Sequence, residues 1–173
     1  MDIASQFVAQ SRHYLADEYP TKIQRCLDVL PANALWARAN DTSNSIGNLL
    51  LHLSGNIRQW IVSGVGGAVD VRRRSDEFGA VEGADAAALM SSLRQTVGEA
   101  DAVIAALDAT ALGTRRKIQG RDVTVFDAVY HVIEHFSMHT GQIILLTKQF
   151  AEGGVRFYED DAGMARPVWR YQE

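Results

Sequence analysis

Histidine spacing carries the chemical signal in this chain. Of its five histidines, His131, His135 and His139 recur every four residues inside one apolar segment, VFDAVYHVIEHFSMHTGQIILLTKQF. His52 sits in a second such segment, SIGNLLLHLSGNIRQWIV. On a helix, positions four apart lie one turn above another on the same face. Two imidazoles so placed reach one divalent cation, and a third from a facing helix gives a partly filled coordination sphere. The vacant positions of such a sphere suit catalysis rather than a purely structural ion. An ion held there lowers the pKa of a bound water or thiol, and imidazole donors suit zinc, nickel, copper and iron alike.

A projection at about 100° per residue places these side chains. With His139 as origin, Val129, Val132, Ile133, Phe136 and Ile143 form the core arc, His135 lies at about −40° on its margin, and Glu134 faces away. His131 falls further out, near about −80°. His131 and His139 are about 12 Å apart along the axis, too far to share an ion, so the pair is His131 with His135 or His135 with His139. The projection prefers the second. On the other segment Ile46, Leu49, Leu50, Leu53, Ile57 and Trp60 form the apolar side. Asn48, Asn56 and Gln59 cluster within about 40° of His52. A lone histidine on a core margin is usually a hydrogen-bonded structural residue; the pair together with His52 favours a metal between two helices.

No carboxylate falls on the histidine-facing arcs to act as a general base. Asp76 and Glu77 in a long loop, or Arg156 and Tyr158 in the tail, are the groups that folding could bring over the site. Gln142, three residues past His139, is a candidate to support the ligands from outside. Cys26, the only cysteine, reads as a small buried hydrophobe, and His13 as structural or exposed.

The elements that must position these groups follow from periodicity. The chain has 173 residues, 47% of them hydrophobic, which suits a single domain over residues 1–173 with a full core. Four amphipathic helices are expected, at about 3–30 with Pro20 producing a local break, 43–63, 85–107 and 124–150. Ser43, Asn44 or Ser45 caps the second, Asp85 the third, and Thr124 with Asp127 forms a capping box on the fourth. RRKIQGRDVTV suggests a small hairpin around Gly120, and the tail after residue 150 has no clear period. The pattern is that of an all-α four-helix bundle with long inter-helix loops and an irregular C-terminal tail.

A net charge of −4 gives no electrostatic case for nucleic acid. Arg72, Arg73 and Arg74 lie among acids and read as a solvated loop. The N-terminus is not a signal peptide, no segment reaches the about 20 apolar residues of a membrane span, and a lone cysteine suits a reducing cytoplasm.

The blocks NSIGNLLLHLSGNIRQWIVSGVGG, RRRSDEF and HVIEHFSMHTGQIILLTKQ together resemble the DinB-like superfamily of metal-binding four-helix bundles, and its NSIGNLLLHL branch in particular. The resemblance spans about residues 3–158 and implies a nickel or zinc ion on His52, His135 and His139, with His131 outside the ligand set. It further implies a homodimer. Among relatives it points to thiol-dependent transferases or isomerases, and so to a small-molecule substrate or low-molecular-weight thiol. From the open site, a metal-dependent transferase or hydrolase is the expectation. The alternative is a non-catalytic metal- or small-molecule-binding stress-response module.

Overall fold

The computed structural model describes residues 2–169. Four rods pack around one apolar core. The first comprises α1 (Ile3–Arg12), a π-helical segment His13–Glu18, and α2 (Tyr19–Val29). The expected break therefore takes the form of a wider turn just before Pro20. Proline has no N–H to return to the preceding turn, and the Tyr19 N–H just before it bonds to the Tyr14 carbonyl five residues back. The second rod is α3 (Ile46–Ile57) continued by a π-helical segment, Arg58–Val65.

A short helix absent from the sequence expectation, α4 (Arg74–Gly79), lies within the long loop. The third rod is α5 (Ala86–Ala105), capped by Asp85. After α6 (Ala109–Gly113) come strands β1 (Arg115–Ile118) and β2 (Arg121–Thr124). They form the expected hairpin: Gln119 and Gly120 both take positive φ, 50° and 76°, as a two-residue turn of this hand requires. The fourth rod, α7 (Val125–Phe150), starts at the Thr124/Asp127 capping box. A second hairpin, β3 (Tyr158–Asp161) with β4 (Met164–Pro167), gives the tail more order than its sequence pattern suggests. No described helix is long and apolar enough to cross a membrane.

Leu15, Ile23, Leu50, Leu53, Ile57, Leu93, Phe136 and Ile143 are all fully buried in the core, so each of the four rods contributes to it. Cys26 lies inside, as expected, and burial pushes its thiol up to about 11. Phe157 and Trp169 of the tail seal the core edge, whereas Tyr158 stays exposed.

One polar cluster fixes α4 against α3. Asn48 Oδ1 accepts from the Ser45 N–H (3.0 Å), the Ser45 hydroxyl (2.8 Å) and Arg38 Nη2 (2.9 Å). Its amide nitrogen donates to the carbonyls of Glu77 (2.9 Å) and Ala80 (2.8 Å). Arg38 Nη2 also donates to the carbonyls of Phe78 and Ala80. Asn48 is thus both part of the α3 capping box and the clamp on α4. An Asn48→Ala variant should lose on the order of 3 kcal/mol in urea unfolding, because it strands several buried polar groups at once. A loss below about 1 kcal/mol would contradict this role.

Candidate metal centre

Helices α3 and α7 run antiparallel where they meet. His52 of α3 faces His135 and His139 of α7, and Trp60, in the π-helical continuation of α3, stacks on His131 at a ring separation of 4.2 Å. The Nε2 atom of His135 lies 3.0 Å from Nε2 of His52 and 3.2 Å from Nε2 of His139. One nitrogen from each imidazole falls within 4.8 Å of the others. His52 and His139 are only 4% and 8% exposed, so water does not satisfy this cluster freely. Of the two pairings that spacing allowed on α7, the structure brings the second to His52; His131 lies beside the group, half-buried against Trp60.

The outer nitrogens explain why the inner ones point together. Glu77 Oε2 lies 2.8 Å from His52 Nδ1, and Gln142 Oε1 lies 2.7 Å from His139 Nδ1. Both oxygens accept, so both Nδ1 atoms carry the proton and both Nε2 atoms present a bare lone pair. Arg72 holds Glu77 from behind, with Nε at 2.7 Å from Oε1 and Nη2 at 2.8 Å from Oε2. Arg72 Nη2 is also 3.1 Å from His52 Nδ1; both are donors here and converge on the same carboxylate oxygen. Arg72 Nη1 donates to Gln59 Oε1 (2.9 Å), and the Gln119 amide donates to the same oxygen.

Titration follows from this geometry. Burial alone would raise the Glu77 carboxyl, but hydrogen bonds from Arg72 and His52 outweigh it and hold the group below its ordinary range. Burial, then the neighbouring imidazoles, push His135 down to about 3. Burial also lowers His139, opposed in part by Gln142. His135 and His139 are therefore neutral imidazoles, and Glu77 is an ionised carboxylate beside them.

Such a set fits a divalent cation. With both outer Nε2 atoms bare, a proton on His135 Nε2 serves only one of them and leaves the other lone pair facing a nitrogen. One cation serves all three. A tetrahedral ion with bonds of about 2.0–2.1 Å wants its ligand nitrogens roughly 3.3 Å apart, close to the 3.0 and 3.2 Å that separate His135 Nε2 from its two neighbours. A carboxylate behind a ligating histidine is the usual support for its orientation and basicity.

Glu77 thus reaches the site, as the loop allowed, but as the partner of His52 rather than as a base above the ion. The reading of the arginine run needs correction at one position: the Arg72 side chain is 3% exposed, because its charge is spent on Glu77 in the interior. Asp76 remains exposed. Arg156 and Tyr158 line a different cleft with Lys22 and Lys148. The overlooked signal was Gly55. A glycine inside an apolar helix often marks a close approach, and a Cβ at this position would overlap Glu77 Oε1. A cleft of about 300 Å³ is lined by Gln142 together with Leu49, Leu145 and Leu146.

Glu77→Gln, which keeps the shape but weakens the acceptor, should reduce divalent-metal affinity roughly 10–100-fold in chelator competition; unchanged affinity would remove Glu77 from the centre. The metal-free protein should also lose stability in acid. His135 and His139 have native pKa values below the unfolded value of about 6.5, so beneath that pH the unfolded chain binds protons that the native chain refuses. Stability is then full above about pH 6.5 and declines as the pH falls, with Glu77 adding to the loss below about pH 4.5. Urea midpoints from pH 7.5 to 4.5 should show this fall, shallower in His135→Gln; a flat profile would contradict it.

Several solved structures share the fold, among them the following three. A DinB-like protein from Bacillus cereus matches with 21% identity over 76% of this chain and 86% of that chain, at a TM-score of 0.59. A conserved protein from Enterococcus faecalis matches with 14% identity over 87% and 98%, at a TM-score of 0.67. A DinB-like protein from Bacillus subtilis matches with 16% identity over 90% and 99%, at a TM-score of 0.62. No curated protein matches the sequence. The family model for DUF1572, described as a protein of unknown function, matches residues 2–158, and the chain belongs to that family.

Proposed function

We propose that this protein binds one divalent first-row metal ion, nickel or zinc, through Nε2 of His52, His135 and His139, and uses the positions left open to act on a small molecule. The observation that carries this reading is the convergence of three imidazole nitrogens whose outer atoms are fixed, at His52 and His139, by Glu77 and Gln142. Three neutral ligands leave the full charge on the ion, and a bound ion would supply a lowered pKa to a coordinated thiol or water.

Within the enzyme reading, the residues favour a thiol over a water. Glu77 is the acid nearest the histidines in the hydrogen-bond network, and both of its oxygens are committed to Arg72 and His52. It is not free to take a proton from water. A thiol, with an ordinary pKa near about 8.5, needs no such help once its pKa is lowered. We therefore place the protein among thiol-dependent transferases ahead of hydrolases. The same lack of a free base favours, as a second reading, a binding module that holds metal without turnover.

Protein purified without chelator and loaded with zinc or nickel should retain about one ion per chain. His135→Ala should abolish retention while helical content stays at the wild-type level. Loaded protein should consume an electrophile in the presence of glutathione, bacillithiol or mycothiol. Retention without turnover would select the binding module, and no retention of either metal would sink both readings.

A further inference from the structure

The outer partners of the cluster are incomplete in an informative way. His52 has Glu77 and His139 has Gln142, but His135 Nδ1 is buried with no hydrogen-bond partner among the described residues. Two other buried polar atoms share that state on the facing stretch of the second rod, Asn56 Oδ1 of α3 and Trp60 Nε1 of the π-helical segment after it. Asn56 is 4% exposed and Trp60 2%. The antiparallel pairing fixes where they lie. His52 faces His135 and Trp60 stacks on His131, so Asn56, one turn from each, sits on the second rod opposite the stretch between His131 and His135.

The three atoms are complementary. His135 Nδ1 and Trp60 Nε1 donate, and Asn56 Oδ1 accepts. We infer that this seam is a binding site for one ordered water, which accepts from His135 and Trp60 and donates to Asn56. Buried waters typically make about three hydrogen bonds to groups left otherwise unpaired. Asn56 thereby becomes the positioning residue for His135, as Glu77 and Gln142 are for the other two histidines. When an ion takes the Nε2 lone pair, the proton lies on Nδ1, and the water accepts it there and holds the ring in place. It also relieves the cost of three stranded polar groups in the interior.

The seam explains a choice in the sequence. Asn56 occupies a buried position on a helix whose other inward positions are mostly leucine and isoleucine, and an apolar residue there would pack without stranding a carbonyl. Trp60 contributes twice, through its ring on His131 and through its N–H.

The orienting role rests on the metal reading, whereas the water site does not, and the test separates them. Crystals of the full-length metal-free protein should show a water within hydrogen-bond distance of both His135 Nδ1 and Asn56 Oδ1. Trp60→Phe should keep the ring stack and lower the occupancy of that water. A protein partner on His135 Nδ1, or Asn56 turned to another group, would overturn the site. In zinc competition, Asn56→Leu should weaken binding at least about ten-fold, with Asn56→Ser recovering much of it by leaving room for water. Wild-type affinity in Asn56→Leu would overturn the positioning role. If Asn56→Leu does not fold, Trp60→Phe is read in its place, with a loss of a few-fold expected and none contradicting. Failure of the wild-type protein to take zinc would end the metal reading while the metal-free crystals still decide the water site.

Discussion

Two imidazoles with their protons pinned on the outer nitrogen must direct their lone pairs inward, and this constraint organises the rest of the structure. The contact between Glu77 and His52, at 2.8 Å, is the firmest of these pins because the acceptor is an ionised carboxylate that Arg72 grips from the other side. Lone pairs facing one another in a region shielded from water are unfavourable unless something electropositive sits among them. The same neutrality with which His135 and His139 resist protonation makes them good metal ligands, because a histidine must be uncharged to bind. Acid sensitivity and metal affinity are thus two consequences of one arrangement.

That contact is long-range in sequence and depends on several independent features. Gly55 leaves the space into which the carboxylate fits. Asn48 and Arg38 hold the backbone of α4 against α3 through the carbonyls of Glu77, Phe78 and Ala80. Phe78 adds a ring contact to His52 at 4.6 Å. The Asn48 that clamps α4 also caps α3, so the helix carrying the first histidine and the segment carrying its partner are fixed by one side chain. A buried Arg72–Glu77 pair adds little net stability, since desolvation offsets its Coulombic gain. Its value lies in fixing the direction of the carboxylate.

Much of this was legible in the residue pattern, for physical reasons that differ by element. Asp85 and Thr124 cap helices where spacing placed them, because capping is a local hydrogen bond between a side chain and the backbone three residues on. The margin positions of His52, His135 and His139 came from helical geometry alone. What escaped was whatever depends on contacts across the fold. Arg72 looks like any solvated arginine until Glu77 and Gln59 are seen behind it. The six residues of α4 are too few to show a period, and the strands of the second hairpin are exposed along their whole length, so no alternation marked them. His131 fell off the core arc, yet Trp60 covers it.

Whether the three imidazoles share one ion separates a metal centre from a purely structural histidine cluster. X-ray absorption spectroscopy on the zinc- or nickel-loaded protein addresses this directly. The expected spectrum shows three imidazole nitrogens at about 2.0–2.1 Å, with their outer-ring scattering, and at least one further light-atom ligand. A metal with one imidazole or none, or a spectrum unchanged when His52, His135 and His139 are replaced together, would contradict it.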